Sequence, residues 1–382
     1  MTLNDFVRIM HLIPILLLLM IACSSDCPSV NDDISKTNDF PIDTLATPET
    51  VALFRNLQSI SSKGILFGHQ DATAYGVNWW AEPGRCDVKE VCGDYPAVYG
   101  WDLGDIHQAT NLDGVNFLQM IDWIKEAYAR GGIITVSMHL DNPVTGGSAW
   151  DNTPAIASIL PGRSHHNQYL SMLDLIAAFL KSLKMSSGTY IPVILRPYHE
   201  HNHTWSWWGK GSCTTDEYNA LWRMTIEYFR DVHEIHHLLY AISPQEIESA
   251  EEYFERYPGD DYVDILGLDY YKLYSSSFIS DLGATLHLLS TIAEERGKIS
   301  ALTEVGLNKL PINNWWTDYL LAAINYSDQS KKTVWSLVWR NASKDHHFAP
   351  YQGHISAPDF RVFYNDPFTI FENDLPDMYH IP

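Results

Sequence analysis

Short apolar runs alternate with amphipathic stretches along most of this chain. The runs are Gly64–His69, Ala97–Trp101, Gly132–His139, Pro192–Arg196, Leu238–Ile242, Val263–Leu268, Ile299–Thr303 and Thr333–Trp339. Each is short, bounded by polar residues and apolar throughout, as buried strands are. Between them Phe117–Arg130, Tyr169–Lys184, Tyr218–His233 and Leu282–Arg296 repeat their apolar positions with a helical period. Eight such βα units across about 330 residues predict a (β/α)8 TIM barrel forming a single catalytic domain. The other arrangement of such units is an open doubly wound sheet. It usually brings a glycine-rich phosphate turn after its first strand, which is not seen here.

The residues that close each run turn the picture from scaffold to site. The strand ends read Gly68-His69-Gln70, Trp101-Asp102, His139, His199-Glu200, Ser243, Asp269-Tyr270-Tyr271, Glu304 and Trp339-Arg340. In a barrel these ends converge on one mouth, where barrel enzymes keep their chemistry. The densest stretch runs from Arg196 through His199, Glu200, His201 and His203 to Trp205, Trp207 and Trp208. Carboxyl groups move protons and flat rings stack on the C–H faces of sugars, so this stretch points to sugar chemistry. Trp101 is read with them as a substrate-binding ring.

Composition narrows the partners. Of 382 residues, 47 are acidic and 25 are Lys or Arg, a net charge of −22, which repels nucleic acid. A neutral polysaccharide is compatible with that charge. The 13 Trp and 21 Tyr exceed what a core needs and suggest stacking surfaces. Near the N-terminus Leu12–Ala22 is an apolar run of signal-peptide length, and Met20-Ile21-Ala22-Cys23 has the form of a lipobox. The expected organisation is a lipoprotein signal peptide over 1–22, a flexible tether over 23–45 and the barrel over 46–382. Membrane contact is then only through a lipid on Cys23, with the exported protein in a bacterial cell envelope. Of the remaining cysteines, Cys27, Cys86, Cys92 and Cys213, the pair Cys86–Cys92 closes a short loop and is the expected disulfide if one forms. The chain is expected to be a monomer with no cofactor and no metal.

Two carboxylates stand out at strand ends, Glu200 after the fourth run and Glu304 after the seventh. Cleaving a glycosidic bond needs a proton for the leaving oxygen and negative charge near the anomeric carbon, and two carboxyl groups divide that work. A separation of about 5 Å means retention, a wider gap inversion. The acid must hold its proton at working pH, so burial against tryptophans and the charge of the second carboxylate should raise its pKa.

Arg196-Pro197-Tyr198-His199-Glu200 followed by Trp205-Ser206-Trp207-Trp208-Gly209 resembles the acid/base segment of glycoside hydrolase family 26, the β-mannanases. The resemblance extends through Gly64–Gln70, His139–Pro143, Asp269–Tyr271, Leu302–Gly306 and Val338–Arg340. It implies a barrel glycosidase that retains configuration by double displacement, acting on β-1,4-mannan, galactomannan or glucomannan. Carried over, Glu200 is the acid/base and Glu304 the nucleophile. His199 sets the acid's surroundings, and Tyr271 bonds the nucleophile with Asp269 beside it. His139, Trp339 and Arg340 hold the sugar on the non-reducing side, and Trp205 stacks on the leaving sugar. The family commonly has Asn-Gly after the His-Glu pair, whereas this chain has Asn202-His203. Relatives acting on mixed-linkage glucan or β-1,3-xylan, and chain-end release of mannobiose, stay open as alternatives. The loops Gly146–His166 and Lys344–Phe360 are where attack within the chain or from its end would be decided.

Two rival readings come from the residues alone. His199, His201 and His203 are spaced i, i+2, i+4 and would share a face as zinc ligands if the strand continued. The strand is expected to end near Arg196, which argues against that. A non-catalytic sugar-binding barrel would explain the tryptophans but not the paired glutamates.

Overall fold

The computed structural model describes residues 40–272 and 277–381. The predicted signal peptide, Cys23 and Cys27 lie outside the described residues. Eight parallel strands close on themselves: β1 (Ile65–Gln70), β2 (Val98–Asp102), β3 (Ile133–Met138), β4 (Val193–Pro197), β5 (Leu238–Ile242), β6 (Ile265–Tyr270), β7 (Ile299–Val305) and β8 (Trp335–Val338). Pairing of Leu66 with Trp335 and of His69 with Val338 seals the ring between β1 and β8. The expected barrel is therefore the observed one. A two-residue strand, Thr369–Ile370, adds to β1 at the lower rim, and Tyr75–Gly76 pairs with Trp79–Trp80 in a small hairpin above it. Neither is long enough to leave a periodic signal.

The predicted helices are present, with boundaries moved by their caps. The helix expected from Tyr218 begins at Thr215, because Thr214 and Glu217 form a reciprocal capping box. Its end passes into a π-turn over Tyr228–Val232. The helices expected from Tyr169 and Leu282 start earlier, at His166 and Phe278.

Strand alternation sorts the buried residues into two shells. Tyr99, Trp101, Val136, Leu195 and Leu268 pack outward with the helices. Leu66, Val98, Ile194, Leu239, Ile265, Ile299 and Trp335 form a second cluster with Leu53, Phe54 and Leu57 of the helix Pro48–Ile60 and with Met378 and Tyr379. That helix starts on a Thr47 cap with Pro48 in its first turn.

Two expectations are corrected here. Residues 41–45, read from composition as the end of a tether, are docked: Ile42 N–H donates to Asp264 at 2.7 Å, and the buried Asp43 pairs with His236 at 2.8 Å. The barrel domain therefore begins by Pro41. Cys86 and Cys92 are both free thiols. Cys86 is the N-cap and Cys92 the last residue of the helix Asp87–Cys92, and six residues rising about 1.5 Å each hold them beyond disulfide reach.

Candidate active site

The site grows from the C-terminal ends of β2, β3, β4, β6, β7 and β8. Arg196 shares the inward parity of Ile194 on β4 and is 4% exposed. Its guanidinium donates to Ser243 Oγ at 3.0 Å, to Asp269 Oδ2 at 2.8 Å and to Glu304 Oε1. One buried cation thus spans two buried carboxylates on adjacent strands.

Glu304 points into the mouth because β7 carries a bulge. Leu268 pairs with Leu302, but Asp269 pairs with Glu304, so Thr303 is an extra residue. Without that insertion Glu304 would share the outward face of Leu302. The freed Thr303 hydroxyl donates to Leu268 O at 3.0 Å and Asp269 Oδ1 at 2.7 Å. The second oxygen of Glu304 accepts from the Tyr271 hydroxyl at 2.8 Å. Each oxygen of this carboxylate therefore accepts from a donor.

Glu200 sits just past β4 on a contorted backbone. Tyr198 and Glu200 have φ of 48° and 53°, a left-handed conformation that costs free energy for side chains with a Cβ. The Glu200 N–H is held by Ser243 O at 2.8 Å, and its Oε2 accepts from Trp205 Nε1 at 3.0 Å. Burial first, and then the charges of Glu304 and Asp269, push its carboxyl up to about 8. In one mouth, then, Glu200 is arranged to keep a proton and Glu304 is held by two donors.

The histidines divide into distinct roles. His139 Nδ1 bonds Asp102 Oδ2 at 2.7 Å, and its Nε2 lies 3.1 Å from Nε2 of His199. Burial opposes charge on His139, but the charge and hydrogen bond of Asp102 outweigh it and raise the imidazole above its ordinary range. Burial and the nearby Arg196 hold His199 well below that range, so His139 donates and His199 accepts. His201 is buried against Tyr218, and His203 stacks on Trp205. The three histidines of the zinc reading therefore face three different neighbours. Among the described residues, Asp105, His107 and Asp141 alone group metal-type ligands, within 4.8 Å, and they are partly exposed.

Of the three tryptophans in the loop, Trp207 and Trp208 are buried, and their N–H groups are bound to Leu140 O and His199 O. Only Trp205, 37% exposed, is open to a ligand. Gly209 closes this loop, since a Cβ there would lie 2.3 Å from His203 O. Trp101 is corrected: it is fully buried in the barrel wall, stacked on Trp123, and faces away from the mouth. Its neighbour Asp102 faces inward instead.

Opposite Glu200, near β2, β3 and β8, a cavity of about 350 Å³ is lined by Asp113, His139, Trp150 and Arg340. Arg340 pairs with Asp113 at 2.8 Å, and Trp150, 52% exposed, lies over His139 with ring centroids 5.4 Å apart. Trp339 stands edge-on to the same histidine. On the other side, past the ends of β4, β5 and β6, a groove of about 900 Å³ is lined by Asn202, His203, Glu246, Tyr270 and Lys272. The first hollow contains His139, which bonds His199, and the second contains Asn202 and His203, which follow Glu200 in its loop. Arg196, Asp102, Asp113 and Trp150 were not assigned roles from sequence. The first two could have been found from inward parity, whereas Asp113 and Trp150 lie in loops that carry no periodic signal.

Comparison with known proteins agrees with this geometry. The description Glycosyl hydrolase family 26 matches residues 42–370. A mannan endo-1,4-β-mannosidase of Bifidobacterium adolescentis is 39% identical over 277 residues, 69% of this chain but 27% of that protein. One of Bacillus subtilis is 30% identical over 269 residues, 66% of this chain and 68% of that protein. A GH26 β-mannanase structure from Bacteroides ovatus superposes with a TM-score of 0.84 at 45% identity, covering 88% of this chain and 98% of that one. A modular endo-β-1,4-mannanase from Cellulomonas fimi gives 0.84 at 37% identity, covering 90% and 79%. A barrel matched from Ile42 to Ile370, with inward carboxyl groups on its fourth and seventh strand ends, belongs to glycosyl hydrolase family 26.

Proposed function

We propose that this protein cleaves β-1,4-mannosidic bonds in mannan, galactomannan or glucomannan by double displacement with retention. The observation that carries the reading is the contrast between two carboxyl groups in one mouth. Glu304 accepts from Arg196 and from Tyr271, which hold it in place as the nucleophile. Glu200, pushed up to about 8, holds the proton that the leaving oxygen requires.

The steps are set by these assignments. Sugars on the non-reducing side lie among Trp150, Trp339, Arg340 and Asp113, with His139 toward the reacting ring. Trp205 carries the leaving sugar. Glu304 attacks the anomeric carbon while Glu200 gives its proton to the departing oxygen. Glu304 loses its charge on glycosylation, which lowers the pKa of Glu200 and lets it deprotonate the incoming water. Arg196 and Tyr271 then receive the regenerated carboxylate. His199 and Asp269 position these groups.

The mannan preference rests on the names of the relatives. Internal attack is favoured for the same reason, with chain-end release of mannobiose as the second reading. Proton NMR of freshly cleaved mannohexaose reads the anomer first formed: β supports retention, and α overturns it. A product time course on mannan gives a ladder of oligomers for internal attack and mannobiose alone for chain-end action. We also propose export as a monomer, lipid-anchored through Cys23 to the bacterial cell envelope. Labelled palmitate incorporated into the native chain but not into Cys23→Ala tests the anchor.

A further inference from the structure

We propose that His203 is a positioning residue for the leaving half of the substrate, fixing the Trp205 indole as both sugar platform and hydrogen-bond donor to Glu200. The inference rests on the glycosidase reading above and goes beyond it to a residue with no assigned role.

Trp205 has two tasks that need one orientation. Its exposed ring is the stacking surface beside the acid, and its Nε1–H holds Glu200 Oε2 at 3.0 Å. With Oε2 engaged as an acceptor, the proton to be donated is directed to Oε1. Rotation about the terminal torsion of an indole meets only a broad, shallow barrier. A partly exposed tryptophan on a loop therefore needs a second surface behind it. The His203 ring supplies one, with centroids 4.1 Å apart and planes tilted by 16°. This covers one face of the indole, so a sugar can stack only on the other.

His203 is itself well anchored. Its N–H donates to Glu200 O at 3.1 Å, which ties the platform's support to the acid's own backbone. The Asn202 amide donates to Gln245 O at 2.6 Å and accepts from Gln245 N at 2.9 Å, pinning this turn to the end of β5. Burial lowers the pKa of the His203 imidazole, with Glu246 and the Gln245 backbone opposing, so the ring stacks in its neutral form. His203 also lines the 900 Å³ groove past the ends of β4, β5 and β6.

The test compares two substrates that share the non-reducing half. One is mannopentaose, which leaves a sugar on Trp205 and needs the proton of Glu200. The other is a dinitrophenyl β-mannobioside, whose leaving group needs neither. In His203→Ala, kcat/KM on mannopentaose should fall roughly 3- to 10-fold, the range of one aromatic stack. On the aryl substrate it should stay within about twofold. His203→Phe, which keeps a flat ring, should restore mannopentaose cleavage to within about twofold of wild type. An equal loss on both substrates, no loss on mannopentaose, or no rescue by phenylalanine would overturn the proposal. A wild-type enzyme inert toward both would overturn the glycosidase reading instead.

Discussion

Replacing Glu200 with glutamine should make the protein more stable at alkaline pH and leave its stability unchanged in acid. Burial and the charges of Glu304 and Asp269 push the Glu200 carboxyl from its ordinary 4.5 up to about 8. Between those values the folded state binds a proton that the unfolded chain releases. Unfolding free energy therefore falls as pH rises through that window. The contribution is fully present below pH 4.5 and lost by pH 8. A shift of 3.5 units at 1.36 kcal/mol each gives roughly 5 kcal/mol as a ceiling. Glu200 is partly open to solvent at the mouth, so screening reduces this to about half. Glutamine keeps the shape and still accepts from Trp205, but it carries no charge at any pH. Urea unfolding followed by tryptophan fluorescence at pH 4.5 and at pH 8.5 reads the difference directly. The variant should match wild type at the lower pH and exceed it by about 2–3 kcal/mol at the higher. A constant difference at both pH values would refute the argument, and so would a wild type that gains stability through this window relative to the variant.

The same contacts carry other consequences. Glu304→Ala should lower kcat on mannan by at least about 10³-fold with an unchanged circular dichroism spectrum; near-wild-type turnover would reject its role as nucleophile. Arg196→Met leaves Asp269 and Glu304 buried without their cation and should cost about 3–5 kcal/mol in urea unfolding; a loss below about 1 would contradict the buried network. Trp150→Ala should lower kcat/KM on mannotetraose roughly tenfold while the alkaline limb of the pH profile stays in place. Reductant should leave the melting curve unchanged, because Cys86 and Cys92 are free.

The strands were legible because a barrel wall buried on both faces is written as apolar runs that survive any error in register. Which side of the wall a residue occupies was less legible. Trp101 and Asp102 are adjacent, and a one-residue slip exchanges sugar contact for core packing. The aromatic residue looked functional, yet the aspartate is the one facing inward, bonded to His139. Glu304 shows the reverse case. Strict alternation from Leu302 would have turned it outward, and only the bulge at Thr303 brings it in. Its placement was found through chemistry and resemblance, since no period in the sequence announces a bulge. Trp150 and Asp113 were missed because they reach the site from loops, where local sequence says little about direction. Whether Cys86 and Cys92 pair was open in the sequence for a related reason: proximity along the chain says nothing about the helix that runs from one to the other and keeps them apart.

The proposed division of labour between the two glutamates rests on a count of charges near one guanidinium. Glu200, Asp269 and Glu304 surround a mouth in which Arg196 is the cation bonded to two of them. His139 adds positive charge, but Asp102 is bonded to it and offsets that charge. A third carboxylate would be a buried charge without a partner, so one proton must remain. Burial pushes Asp269 up as well, to about 7, but Arg196, Thr303 and Ser243 oppose the rise and leave it below Glu200, at about 8, so Glu200 is the better place for the proton. Asp269 is held by Arg196, Ser243 and Thr303, and Glu304 by Arg196 and Tyr271, all of them donors. Glu200 has one donor, Trp205 Nε1, on one oxygen. On the proposed assignment, the acid is the carboxyl group outside the arginine's reach, and the position of Arg196 favours the proton on Glu200.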